Sequence, residues 1–336
     1  MKASEIAQSL KTLIEIKQPG FLWGPPGVGK SQVVAQTAKA LDLELIDVLA
    51  VLLDPVDLRG IPRITDQGDA RWSTPAFLPK EGAGVLFLDE LNAAPPLVQA
   101  ACYQLILDRR IGEYELPPEW TVIAAGNREQ DRAVVHRMPS ALSNRFVHLE
   151  FDVDAQDWNT WAVAADLAPE VTAFIRFRPS LLHAFEPDRD DRAFPSPRSW
   201  EFVSGLVKAH QDQLTEIHGP AYRIFRELVA GTVGSGAAAE FTGFLKIWNQ
   251  LPTVADILAA PQGLEVPEDP AMLFAISEML GRAMTPENSG QILAFAARLP
   301  VEFSVLLVRE AVALDQELVN TPAFVTWAGE NAQVLV

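Results

Sequence analysis

Apolar positions recur at helical spacing over residues 3–17, predicting an amphipathic helix. They then close into a short apolar run, Gly20-Phe21-Leu22-Trp23, which predicts a buried strand. A helix is expected over roughly 30–42, with Val33, Val34 and Ala38 on its apolar side, and Leu43 to Val48 reads as a second strand. Leu53 to Pro79 is irregular and rich in turn residues. Inside it, Gly60 to Thr65 and Ala70 to Ser73 flank Asp66-Gln67-Gly68-Asp69, a hairpin pattern. A strand is expected at 84–89, and Pro95-Pro96 open a helix running to about Asp108. Ile111 to Tyr114 and Trp120 to Ala125 are strand-like, Pro139 to Arg145 suggests a short helix, and Val147 to Phe151 a further strand. Strands alternating with helices predict an α/β fold with a central parallel sheet covered on both faces.

After Asp152 helical periodicity dominates, broken at Pro169, Pro179 and the charged loop Pro187 to Arg192. Ser196-Pro197 starts another helix. Phe241, Phe244, Ile247 and Trp248 have helical spacing and read as core, with a partner groove as the alternative. Pro261 to Pro270 is an acidic, proline-rich joint between helix groups.

Size and charge narrow the classes. At 336 residues the chain has room for two domains or one with an extension, and a 49% hydrophobic content supports a sizeable core. The single cysteine, Cys102, excludes an intrachain disulfide and lies in an apolar helical stretch. The N-terminal residues lead into an amphipathic helix and do not read as a signal peptide, and no apolar run has membrane-spanning length, so a reducing cytoplasm is expected. A net charge of −17 at pH 7 argues against broad binding to nucleic acid, which demands a basic face. The five histidines lack paired metal-ligand spacing, so no zinc site is expected.

The chemistry is concentrated in two places. Gly24-Pro25-Pro26-Gly27-Val28-Gly29-Lys30-Ser31, followed by Gln32, fits G-x-x-x-x-G-K-[ST] between a strand and a helix. Glycines let the backbone curl its N–H groups around a polyphosphate, and the following helix adds its positive end. Lys30 is expected to reach the β and γ phosphates of ATP, and the Ser31 hydroxyl to ligate Mg²⁺. Val85 to Leu88 is a buried strand ending in two carboxylates. Asp89 would hold the same metal and Glu90 would orient or deprotonate the attacking water. The pair of motifs reads as a nucleoside-triphosphatase. Asn127-Arg128-Glu129-Gln130 does not give a guanine reader, which favours ATP over GTP.

These motifs, in their order, resemble the AAA+ superfamily and within it the MoxR-like ATPases, over roughly residues 1–215. Asp54 to Gly60 is similar to the hairpin-bearing insert of that clade, Leu88 to Ala94 to its acidic motif, and Arg110 to Pro117 to its later hairpin. Ile123 to Asn127 resembles the first sensor, Ser140 to Phe146 the arginine-finger segment, and Pro195 to Trp200 the second sensor. The resemblance implies a P-loop AAA+ core at 1–152, a helical lid at 153–215 and a helical C-terminal extension at 216–336. It implies that Asn127 hydrogen-bonds the attacking water or γ phosphate and that Arg198 contacts the γ phosphate from the lid. Arg145 would enter a neighbouring subunit's nucleotide, a device worth about 10³–10⁵ in rate, or about 4–7 kcal/mol of barrier. A turn asparagine, a surface ion pair and a solvated first-turn arginine are the plain alternatives for Asn127, Arg145 and Arg198. Arg128, Arg132 and Arg137 lie in the same loop and compete for the finger role.

The implied assembly is a ring, commonly a hexamer, that remodels protein clients with a partner carrying a von Willebrand factor A domain. The alternative is a nucleic-acid motor or restriction-type NTPase using a basic patch from Arg109, Arg110 and Arg128. A nucleotide-gated scaffold without turnover is a third reading.

Overall fold

The computed structural model describes the chain except for residues 132–135, 137, 190, 212–218 and 332–336. It divides into two compact units. The first comprises Met1–Trp158, His183–Asp191 and Ser196–Arg198, and the second Asn159–Leu182, Arg192–Pro195 and Ser199–Val336.

The first unit is built on five strands, β1 (Gly20–Trp23), β2 (Glu44–Leu49), β5 (Gly84–Asp89), β8 (Trp120–Gly126) and β9 (Val147–Glu150). Two small hairpins sit apart from them, β3 (Ile61–Ile64) with β4 (Ala70–Ser73), and β6 (Arg110–Ile111) with β7 (Tyr114–Glu115). The large sheet has the order β2-β5-β8-β1-β9 and every pairing in it is parallel. This is the α/β architecture that the alternating pattern predicts.

Alternation along each strand sorts the core into two layers. Val85 and Phe87 of β5 join Leu22, Ile123 and Ala125 beneath α1 (Ala3–Glu15) and α2 (Lys30–Ala40). Leu86 and Leu88 face the other way, with Phe21, Val122 and Ala124. That side is covered from α3 (Pro55–Arg59), α4 (Pro96–Asp108) and α5 (Ser140–Ser143) by Leu58, Val98, Leu105 and Leu142. Cys102 is fully buried in this layer, and burial pushes its thiol up to about 12.

Several boundaries depart from the sequence expectation for local reasons. The first helix stops at Glu15 and the second at Ala40, because Lys17 (φ 56°) and Asp42 (φ 54°) adopt the left-handed conformation just beyond them. Within 53–79 the chain forms α3, closed at its start by reciprocal bonds between Asp54 and Asp57. Ile111 to Tyr114 is two short strands around Gly112, whose φ of 58° makes the turn.

The second unit is helical. Two helices straddle the division, α6 (Ala155–Ala164) and α8 (Pro197–His210), and the others of this unit are α7 (Pro169–Phe177), α9 (Pro220–Val233), α10 (Ser235–Trp248), α11 (Val254–Ala259), α12 (Pro270–Ala283), α13 (Ser289–Ala296), α14 (Val301–Leu314) and α15 (Pro322–Glu330). Phe174, Trp200, Phe241 and Phe244 form an aromatic cluster with ring centroids 5.2–5.6 Å apart. Gly281 lets α12 and α14 approach closely, since a Cβ there would lie 2.8 Å from the Leu307 carbonyl. Beside that crossing, Arg176 is paired with Glu278 (2.9 Å) and Glu310, and Arg282 donates to the Thr172 hydroxyl. Burial pushes Glu278 up to about 7 in spite of Arg176. Among the described residues no helix is long and apolar enough to cross a membrane.

Candidate nucleotide site

The site forms where the carboxyl ends of β1, β5 and β8 meet. In open parallel sheets this edge is where the strand order reverses and ligands bind. β1 lies between β8 and β9, so the loop after Trp23 emerges centrally.

Two glycines shape the loop. Gly27 (φ 79°) and Gly29 (φ 99°) adopt a conformation that side chains disfavour, and a Cβ on Gly27 would lie 2.7 Å from the Ser196 hydroxyl. Val28 is buried and anchors the loop in the core, and Pro25 is buried as well. Gly29 occupies the N-cap of α2 and brings no side chain to cap it. The first-turn N–H groups, including those of Lys30, Ser31 and Gln32, have no carbonyl within the helix to meet. The Gln32 side chain is exposed.

The Lys30 ammonium bends back over the loop. It donates to the carbonyls of Gly24 (2.8 Å) and Pro25 (3.1 Å) and to Oδ1 of Asn127 (2.9 Å). Burial lowers its pKa to about 8, against the opposing pull of Asp89, Asp131 and Glu90. A polyphosphate would supply the negative charge that this half-dehydrated cation lacks.

The Ser31 hydroxyl donates to Oδ2 of Asp89 at 2.7 Å, so the two hard oxygen ligands expected to share Mg²⁺ are already adjacent. The other Asp89 oxygen accepts from the backbone N–H of Glu90 at 2.9 Å. Glu90 has φ of 53°, a left-handed turn that ends β5 and puts its half-buried carboxyl at the strand mouth. Asp47, on neighbouring β2, is held above the usual carboxylate range by burial and by the Asp89 charge. Loop curvature, orphan helix amides, a dehydrated lysine and a hydroxyl–carboxylate pair together suit a magnesium-bound polyphosphate.

The structure gathers Gly24 to Ser31, Asp89, Glu90 and Asn127 at this edge. Arg198 also reaches it: its backbone N–H donates to the Gly27 carbonyl (3.2 Å), and its charge is felt by Lys30. Arg145 lies elsewhere, exposed after α5, and among the described residues no carboxylate lies within ion-pairing range of it. Arg128 is held by Asp131 at 3.3 Å. Arg132 and Arg137 fall outside the described residues. Of the basic patch weighed above, Arg109 is spent on three carbonyls, those of Pro117, Pro118 and Trp120.

Two further residues belong to the site. Asn92 is buried, and its Nδ2 donates to the Asn127 carbonyl at 2.7 Å, fixing the turn that presents the Asn127 side chain to Lys30. Gly126 makes room for it, since a Cβ there would lie 2.0 Å from the Asn92 oxygen. His183 contacts the Pro26 carbonyl at 3.4 Å, and burial holds its pKa below the usual value. The motif around Asn92 is visible in the sequence, but its contact with Asn127 is not. Nothing in the sequence near His183 connects it to the phosphate loop.

With this geometry in hand, residues 19–146 match the AAA domain of the dynein-related subfamily. Over this segment the chain is similar to that domain. The matched segment runs from the approach to β1 to the residue after Arg145. No curated protein matches the chain. Among solved structures, a mutant of Thermotoga maritima RuvB is similar at 19% identity, over 76% of this chain and 75% of that one, with a TM-score of 0.42. NtrX from Brucella abortus in complex with ADP is similar at 16% identity, over 95% of this chain and 68% of that one, also with a TM-score of 0.42. At these values nothing about activity follows from either likeness.

Proposed function

We propose that the chain is a Mg²⁺-dependent ATPase of MoxR type, with a catalytic site completed by a neighbouring copy in a ring. The observation that supports it most is the meeting of Lys30, the Ser31–Asp89 pair and Asn127 at one sheet edge. The loop amides from Gly24 to Gln32 would cradle the phosphates, with Lys30 as the point charge on them. Ser31 and Asp89 would hold the metal, which when bound neutralises phosphate charge. Glu90 would take the proton of the attacking water, while Asn127 fixes that water's position. Arg198 would complete the phosphate contacts. Arg145, exposed and without an ion-pair partner among the described residues, is suited to reach a neighbour's site.

On this reading residues 1–152 are the motor core, 153–215 a lid and 216–336 an extension. The machine is cytoplasmic, and hydrolysis remodels a protein client. Its resemblance to MoxR proteins extends to a partner with a von Willebrand factor A domain. Nucleic acid suits it less, because Arg109 and Arg128 are engaged within the chain.

Phosphate release from Mg·ATP, measured over a range of protein concentrations beside mass photometry, tests this. Turnover per chain should rise as larger assemblies form. Glu90→Gln should lower it by about 10²–10⁴ while retaining binding of a non-hydrolysable analogue. No turnover at any concentration, or undiminished hydrolysis by Glu90→Gln, would overturn the proposal.

A further inference from the structure

One imidazole joins the strand that feeds the phosphate loop to the helix that leads into Arg145. Trp23, the residue before Gly24, donates its indole N–H to Nδ1 of His148 at 2.8 Å. An indole N–H only donates, so Nδ1 must accept and the ring proton resides on Nε2. Nε2 lies 2.8 Å from the Ser143 carbonyl, to which it donates, and 3.2 Å from the Ser143 hydroxyl. Ser143 is the last residue of α5, two before Arg145.

Ring packing reinforces the link. Trp23 and His148 stack with centroids 5.9 Å apart at 26°. Phe146, the residue after Arg145, meets Phe21 edge-on at 5.3 Å. The Arg145 side chain is exposed, and these contacts on both sides hold the backbone from which it projects. At the other end of the link, the Gly24 carbonyl accepts from Lys30.

We propose that His148 is a positioning residue for the trans-acting arginine, holding α5 and Arg145 in register with the phosphate loop of the same chain. This rests on the shared-site reading above. Displacing a catalytic group by about 1 Å costs about 10²-fold in rate. His148→Ala should therefore lower kcat by about that factor and leave analogue affinity within about twofold, because the cradle lies on its own subunit.

Subunit mixing separates positioning from general damage. A His148→Ala subunit keeps a working cradle, and a Glu90→Gln subunit keeps a well-aimed arginine. In a heterologous ring, an equal mixture should recover about a quarter of wild-type turnover, one interface in four pairing the two intact halves. Trp23→Phe keeps the stack but removes the donor to Nδ1. It should lower kcat less and be complemented in the same way, which covers the case in which His148→Ala fails to fold. The control mixture is Arg145→Ala with Glu90→Gln. If the control complements and neither His148→Ala nor Trp23→Phe does, His148 does not position the arginine. If the control itself fails, the shared-site reading falls, and this inference with it.

Discussion

Raising the pH should weaken nucleotide binding while it stabilises the nucleotide-free protein, and Lys30 is the reason for both. Burial sets its pKa at about 8, against an ordinary 10.5, whereas a bound triphosphate would restore the charged form over a wider range. Below pH 8 the ammonium is already present and affinity should be flat. Above it, binding must take up a proton, so affinity falls by about tenfold per pH unit until the pKa of the complex is reached. From pH 7 to 9.5 the loss comes to about thirtyfold. The free protein moves the other way. Between pH 8 and 10.5 the unfolded chain carries a proton on this lysine that the folded chain lacks, so stability rises with pH, by a total on the order of 3 kcal/mol. Titration calorimetry with a non-hydrolysable analogue, repeated in buffers of different ionisation enthalpy, reads affinity and proton uptake together. Uptake should approach one proton per site near pH 9. An affinity that stays flat from pH 7.5 to 9.5 with no proton uptake would refute the role given to Lys30.

Two other perturbations probe parts the nucleotide does not touch. Asn92→Ala removes the donor to the Asn127 carbonyl and should lower turnover by about tenfold, at a stability cost of about 1–3 kcal/mol, with analogue binding retained; single-turnover kinetics and melting curves read these separately. Glu278 has its folded-state pKa raised to about 7, above the unfolded 4.5, so the folded chain holds the extra proton in this window and stability falls as pH rises through it. Glu278→Gln should flatten the wild-type slope of unfolding free energy between pH 4.5 and 7 by up to about one proton, measured by urea titration at several pH values.

The central sheet was legible because its strands are short apolar runs bounded by turn residues, as Val85 to Leu88 illustrates. The glycine-rich loop and the acidic pair, which the fold brings to one sheet edge, were legible as motifs because the chemistry expected of them requires particular residues at fixed, local spacing. What escaped notice was of two kinds. The helix at Pro55–Arg59 carries its own signal in Asp54 and Asp57, yet five residues are too few for periodicity to show. Asn92, Arg109, His148 and His183 act through partners that folding brings near. Asn92 reaches across to a strand end 35 residues away, and His183 to a loop 157 residues away. No local pattern encodes such meetings. The inward turn of Arg109 to three carbonyls, one of the arginines considered for a basic patch, is a meeting of the same kind.

The sealed position of Cys102 has a practical side. A thiol this inaccessible, with so little thiolate at neutral pH, should ignore maleimides while the protein stays folded. A cysteine introduced on the surface would then be the sole reactive handle in each copy. Fluorophores could be placed one per subunit on an otherwise natural sequence, so that energy transfer between neighbours reports assembly as it happens.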